Sequence, residues 1–456
     1  MSRGWLLFLL SLSCSLLCKA QTDGFDTSVN HYNVSTRVMN DASNGFSVEY
    51  KNWYKVVTNH ILNETYALVC CGQPTTNLTG YHAVINTPVT NIGITSIRDA
   101  LPYIELLGLR DAVKSVEGYQ NVTSPCYSNV TDSPGADTPQ VIFTAQTNTN
   151  LQSGPAYVGF SPNSDQLTPL QQASWLVFIA LFFDAEAEAT TIFSNLENVY
   201  NCHKSNMAEV TDKKDVAWTF YDPATREWAL KRDAYYNTLV TDAGATLVQP
   251  NDAQSAEFTS LAVFHTAIGR AQYVIDTSDL ASLNQTYDGW LNVGGFTTSS
   301  DVYNEAFISD KNVYRTDGLV NTNGYSDWPQ RSPARPDLAL QDVIHMIEPT
   351  YQANYSFTWM RNFAKSDNAR QIADTSYLCD AHDIFSATLC EPHPFGSNQT
   401  STSSDTSTHL SKGGKAGISI GVIVFVLVVA VIAYALYRQC RQNQGDRPFY
   451  RMKDMK

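Results

Sequence analysis

The stretch Tyr325-Ser-Asp-Trp-Pro-Gln-Arg-Ser-Pro-Ala-Arg335 gathers two aromatic rings and two guanidinium groups behind a glycine-containing turn, Asp317-Gly318 to Gly324. A guanidinium forks onto carboxylate or catecholate oxygens, and aromatic faces pack on the carbon skeleton of a ligand. The chemistry offered is binding rather than turnover. Tyr325, Trp328 and Arg331 are candidate ligand contacts, whereas Arg335, at the head of Arg335-Pro-Asp, reads as a brace for the helix that follows. Thr95 and Ser96 close the apolar run Asn91 to Ile94 and open a helical pattern. Open α/β sheets bind ligands beyond the carboxyl ends of their strands, and a helix N-terminus favours anionic groups. The same two residues equally suit an N-cap. Trp218 and Tyr221 lie in or just after another strand, either as an aromatic wall or as core packing. His345 and Glu348 have the i, i+3 spacing of a metal-binding pair, but the nine histidines are scattered, and a structural histidine serves as well. There is no nucleophile elbow, phosphate loop or paired-acid spacing, so no enzyme, cofactor or bound metal is expected.

Those candidates need rigid elements to place them. Phe46–Tyr50, Tyr54–Thr58 and Tyr66–Cys71 are β-rich runs, and His82 to Ile94 holds two more, broken at Pro88. Thr95 to Leu107 has helical spacing that stops at Gly108, and Pro139–Phe143 is again a strand. Thr168-Pro169-Leu170-Gln171 combines an N-cap threonine, proline at the first helical position and glutamine three residues after the cap. No glycine or proline follows until well past His203, which predicts one helix of about 50 Å. Its middle, Ala173 to Phe183, is apolar nearly all round and must be buried in protein. Beyond it, Asp215–Phe220 reads as a strand, Thr225–Asp242 as a helix, Gln272–Ile275 and Lys311–Arg315 as strands, and Pro336–Ile347 as a helix. Alternation of this kind implies α/β lobes with largely parallel sheets.

Composition places the folded part outside the cytoplasm. Ile418 to Leu436 is an uncharged run of 19 residues, about the span of a bilayer core, followed by a basic tail. Met1 to Ala20 has the layout of a secretory signal. Eight N-x-S/T sequons, at Asn33, Asn63, Asn77, Asn121, Asn129, Asn284, Asn354 and Asn398, all precede the apolar run. The expected organisation is a signal peptide (1–20), a flexible leader (21–45), an α/β lobe (46–167), an inter-lobe helix (168–205) and a second α/β lobe (206–395). A Ser/Thr-rich stalk (396–415), a transmembrane helix (416–437) and a cytoplasmic tail (438–456) complete it, with the N-terminus outside the plasma membrane. The net charge of −14 becomes −20 for the ectodomain once the basic signal and tail are set aside, which disfavours nucleic acid and anionic lipid as ligands. Six ectodomain cysteines suggest three disulfides with 15 possible pairings. Cys379 with Cys390 is the expected local bridge. Cys70 and Cys71, if they end a strand, face opposite ways and take different partners.

Taken in order, several stretches resemble the metal-chelate branch of the ABC-type periplasmic solute-binding proteins. They are Asn91-Ile-Gly-Ile-Thr-Ser96, Ile104 to Asp111, the entry Pro169 to Phe183 with Asp184-Ala-Glu-Ala, Val216-Ala-Trp218, Tyr235 to Gly244, and Arg335 to Pro349. The resemblance implies two α/β lobes joined by one long rigid helix, and a ligand that is a ferric siderophore, haem or cobalamin. A C-terminal anchor and sequons depart from that family's soluble or lipid-anchored form. The expectation is therefore a cell-surface receptor that captures an iron chelate for a neighbouring permease, reductase or endocytic receptor. The alternatives are a receptor for adhesion or signalling on the same fold, without a small ligand, and a cobalamin-binding protein.

Overall fold

The computed structural model describes residues 25–33, 37–38, 42–75, 78–133, 135, 137–145, 154–250, 257–296, 305–374, 377, 379 and 390–396. The signal, the stalk beyond residue 396, the apolar run and the tail lie outside them, as do the sequons Asn77 and Asn398. Among the described residues no helix is long and apolar enough to cross a membrane.

The first lobe holds two four-stranded sheets. One is β1 (Phe46–Tyr50), β2 (Tyr54–Asn59), β3 (Glu64–Val69) and β4 (Ala83–Asn86) in that order, antiparallel except for the last pair. The other is wholly parallel, with β5 (Ile92–Thr95), β6 (Val113–Val116), β7 (Val141–Thr144) and β8 (Ala156–Gly159) ordered β6-β5-β7-β8. Helix α1 runs only from Ala100 to Leu106. The second lobe is a seven-stranded sheet around a parallel centre. β9 (Asp215–Asp222) pairs in parallel with β13 (Tyr273–Asp276), and β13 with β14 (Val313–Arg315). The start of β9 also pairs with β11 (Thr246–Leu247), and its end with β10 (Glu227–Leu230), which continues to β12 (Glu257–Phe258). β16 (Arg361–Asn362) closes the far edge, and β15 (Leu319–Val320) pairs with β17 (Arg370–Gln371) nearby. Alternate residues along β9 and β13 enter opposite cores. Val216, Trp218 and Ile275 face α5 (Ala234–Asp242) and α8 (Pro336–Ile347), whereas Ala217 and Val274 face α6 (Leu261–Ile268) and α7 (Tyr287–Val293). A central strand covered on both faces needs this continuous apolar run.

The single 168–205 helix is not what forms. The capping box at Thr168 and Gln171 starts α2 (Pro169–Ala173), which runs through Ser174 into α3 (Trp175–Ala180). The chain then turns over residues 181–185, with Asp184 at φ 54°, before α4 (Glu186–Met207) begins. The cause is tertiary. Lys55 of β2 is fully buried, and its Nζ donates at 2.7 Å to Leu181 O, Asp184 Oδ1 and Glu186 Oε1. All three ammonium protons are used at the break, where a continuous helix would leave Leu181 O bonded within the helix and unavailable. The apolar middle packs as expected, with Trp175, Phe178 and Phe182 among Phe46, Phe143 and Phe160. The bridging element is α4 alone, with Ala189 and Ile192 in the first-lobe core and Tyr200 and Met207 in the second.

Three further expectations are corrected. Thr225–Asp242 is not one helix: the β9–β10 hairpin turns at Arg226 (φ 60°), and α5 starts only after Asp233. The leader is tied down where it is described, since His31 N donates to Asn52 O and Asn52 Nδ2 to Thr27 O and Ser28 O. Cys379 does not pair with Cys390. The bridges are Cys126–Cys379, Cys202–Cys390 and the vicinal Cys70–Cys71. β3 ends at Val69, so strand alternation no longer separates the vicinal pair, whose second member turns to φ 66°. The two long-range bridges instead fasten the C-terminal segment to the first lobe and to α4.

Candidate functional site

The carboxyl ends of the parallel strands in the two lobes open onto one set of adjoining cavities. Past β5, β7 and β8 lies a cavity of about 470 Å³ lined by Ile61, Leu62, Ile97, Phe160 and Asn163. Past β9, β13 and β14 lies one of about 510 Å³, with Phe220, Lys231, Tyr236, Ser278 and Arg315 in its wall. Two smaller spaces join the lobes. One of about 350 Å³ runs between Ser96, Asp99 and Asn163 on the first lobe and Tyr325, Pro329 and Gln330 on the second. The other, of about 270 Å³, lies between Asn163, Asp165 and Gln172 on one side and Lys231, Tyr236 and Trp328 on the other. Shared residues make them one cleft. Its closed side is latched directly: Thr123 Oγ1 donates to Asp327 Oδ1 at 2.7 Å, Gln330 Nε2 to Asn121 O at 2.8 Å, and Asn323 Nδ2 to Gln120 O at 2.8 Å.

The floor on the second lobe is a buried charge network. Arg315, only 4% exposed, donates to Asp276 Oδ1 at 2.6 Å, Asp317 Oδ2 at 2.9 Å and Ser278 O at 2.6 Å. Asp276 also accepts from Thr219 and Ser278 hydroxyls, and Asp317 is held from its other side by Arg361 at 2.6 Å. Burial works against the Asp317 carboxylate, but the guanidinium groups of Arg361 and Arg315 outweigh it and keep its pKa below the usual value.

The expected ligand residues separate into two groups. Ser96, Tyr325 and Trp328 line the cleft. Thr95 ends β5 opposite Thr144, and Ser96 is a left-handed turn residue (φ 61°) whose amide donates to Glu117. The helix starts four residues later, so neither residue is its N-cap and no helix terminus points from them at a ligand. Trp218 is fully buried against Tyr236 and Trp328, and Tyr221 packs on Trp228; neither lines the four cavities. Arg331 is the main correction. Its Nε donates to Asp327 at 2.6 Å, and its guanidinium lies over the rings of Trp359 and Tyr377. It braces the lobe interface behind the cleft, as Arg335 braces α8 by forking onto Asp337 at 2.8 and 2.9 Å. Arg331→Ala should therefore lower stability by about 1.5–3 kcal/mol, the worth of a charged hydrogen bond, and leave ligand affinity unchanged. Denaturant unfolding and a binding titration on the same variant check both halves.

Lys231, Phe220, Tyr236, Arg315, Asp99 and Asn163 are cleft residues that the sequence reading passed over. Reading 225–242 as a helix put Lys231 inside that helix, whereas it follows β10 and precedes α5. Asp233 directly before α5 was the available sign that the helix starts later. His345 packs against Tyr355 and Phe357, and the described residues contain no cluster of three metal-ligating side chains. Of the described sequons, Asn33, Asn63, Asn129, Asn284 and Asn354 are exposed, whereas Asn121 is half-buried at the lobe interface.

Asp99 stands where the first-lobe cavity meets the inter-lobe space and accepts a hydrogen bond from Asn163 Nδ2. Burial pushes its carboxyl up to about 6, with Arg98 and Asn163 pulling the other way. The folded state thus keeps a proton that the unfolded chain releases near its ordinary value of 3.8. Raising the pH from about 4 to about 6 should cost stability through this group, and Asp99→Asn should remove that part of the slope in pH-dependent unfolding.

No family model matches the chain, and no curated protein does. Solved structures that it resembles include periplasmic solute-binding proteins. One from Veillonella parvula is 11% identical, with 58% of this chain and 86% of that chain covered and a TM-score of 0.43. A possible iron-binding, periplasmic solute-binding protein from Staphylococcus epidermidis is 12% identical, covering 57% and 100%, with a TM-score of 0.42. The periplasmic heme-binding protein of Vibrio cholerae is 14% identical, covering 55% and 99%, with a TM-score of 0.40. None of these likenesses assigns a role to a residue of this chain.

Proposed function

We propose that this protein is a surface receptor that captures a compact metal chelate, of the ferric siderophore, haem or cobalamin class, in the cleft between its lobes. One observation carries the binding role. The carboxyl ends of parallel strands from both lobes meet at a single cleft of adjoining cavities, and ligands of open α/β sheets bind at such ends. The chelate class is proposed from the sequence resemblance, and the surface location from the signal-like N-terminus, the sequons and the apolar run 418–436. Hand-over to a permease, a reductase or an endocytic receptor belongs to the same proposal. A binding role rather than catalysis fits the floor of the cleft, where the charged groups described above neutralise one another.

Trp328 provides the test. It lines two of the cavities and lies 5.7 Å from Trp218 and 5.5 Å from Trp359, ring centre to ring centre. A chromophoric chelate in the cleft should quench this cluster. Titration of the protein with haemin, cobalamin and a ferric trihydroxamate should give saturable quenching with at least one of them at micromolar concentration or below. Trp328→Phe should reduce the quenched fraction. A flat titration with all three refutes the reading.

A further inference from the structure

Resting on that reading of the cleft, a finer assignment concerns the charge and shape of what binds in its second-lobe half. Lys231 stands on the wall shared by the 510 Å³ and 270 Å³ cavities. Its Nζ lies 5.4 Å from the centre of the Phe220 ring and 5.8 Å from that of Tyr236, and it forms no ion pair among the described residues. The other cationic groups at the cleft are placed differently. Arg315 is held by Asp276, Asp317 and Ser278, and Arg98 leans on Glu117 O at 3.4 Å. An ammonium that lies over two ring faces in a concave wall and forms no ion pair among the described residues is open to a ligand acid, which gains a charge-assisted hydrogen bond on reaching it. Asp279 and the arginine-paired Asp317 line the larger cavity, and Asp165 and Asp233 the smaller. These carboxylates disfavour a free inorganic anion, so the acid must arrive on a body that packs against the rings of Tyr236 and Trp328.

We propose that Lys231 is the anion anchor of the cleft and recognises a carboxylate or phenolate carried on a flat, largely apolar ligand. The backbone amide of Lys231 is already bonded to Trp218 O, so changing its side chain leaves the β10 connection intact. The test uses the full-length protein and two probes: haemin, with carboxylates on a flat ring, and a neutral ferric trihydroxamate. Lys231→Gln should weaken haemin binding roughly 10- to 100-fold, the worth of a charged hydrogen bond, and alter the neutral chelate by less than about twofold. Lys231→Arg, which keeps the charge, should bind haemin within about threefold of the parent. Unchanged haemin binding in Lys231→Gln, or equal losses for both probes, overturns the anchor. If the parent protein binds the neutral chelate but not haemin, the cleft reading stands and the anchor falls. If it binds neither, both fall.

Discussion

Replacing Lys55 with methionine should destabilise the fold by about 3–5 kcal/mol, the usual cost of removing one partner from a buried ion pair. The side chain is fully buried, and Glu186, one of its two carboxylate partners, is nearly so. Methionine fills the stem's volume, so the loss comes from electrostatics rather than from a cavity. It leaves Glu186 buried without its cation and Leu181 O without its donor. Adding Glu186→Gln to the variant should recover part of the loss, because a neutral amide costs less to bury than an orphaned charge. The denaturation midpoints of the single and double variants measure this. Because the break between α3 and α4 is built around this lysine, residues 181–185 should also lose protection from amide hydrogen exchange. A variant as stable as the parent would mean that the turn at Asp184 is held by something other than Lys55.

Arg315→Met should have a loss of similar size, about 3–5 kcal/mol, because Asp276 is completely buried and Arg315 is its only cationic partner among the described residues. Arg361→Met should cost less, since Asp317 keeps Arg315 on its other side. The pH dependence separates the two effects. With a folded pKa below 3.8, Asp317 contributes stability that is present at neutral pH and is lost as the pH falls through the lowered value. Either arginine variant lets that pKa rise. The stability that remains should then depend less steeply on pH below about 4 than in the parent protein. Acid titration of the unfolding midpoint reads this directly. A steeper dependence would place the acid-sensitive group elsewhere.

The difference between what was legible and what was not follows the range of the interactions. The chain's own pattern determined β1 to β5, β7, β9, β13 and β14, though not β6, β8 or β10, together with the capping-box entry at Thr168 and the helix Pro336–Ile347, which forms with the boundaries its spacing predicts. Each depends on side-chain periodicity or on a cap within a few residues, so the information is local. The apolar stretch 173–183 was legible as buried for the same reason, because a helix apolar all round has no face for water. The break at 181–185 was not, because residues 181–185 contain no glycine or proline and the cause sits far back in the sequence, at Lys55. The disulfide pairing is equally non-local: Cys379 and Cys390, neighbours in sequence, reach to Cys126 and Cys202. At the cleft, composition pointed to a loop that lines it but could not say which side chains face the opening. Tyr325 and Trp328 do, whereas Arg331, one helical turn beyond Asp327, turns inward to meet that carboxylate between two rings. A sequence lists the groups able to bind a ligand; only the packed structure shows which of them are already bound to one another.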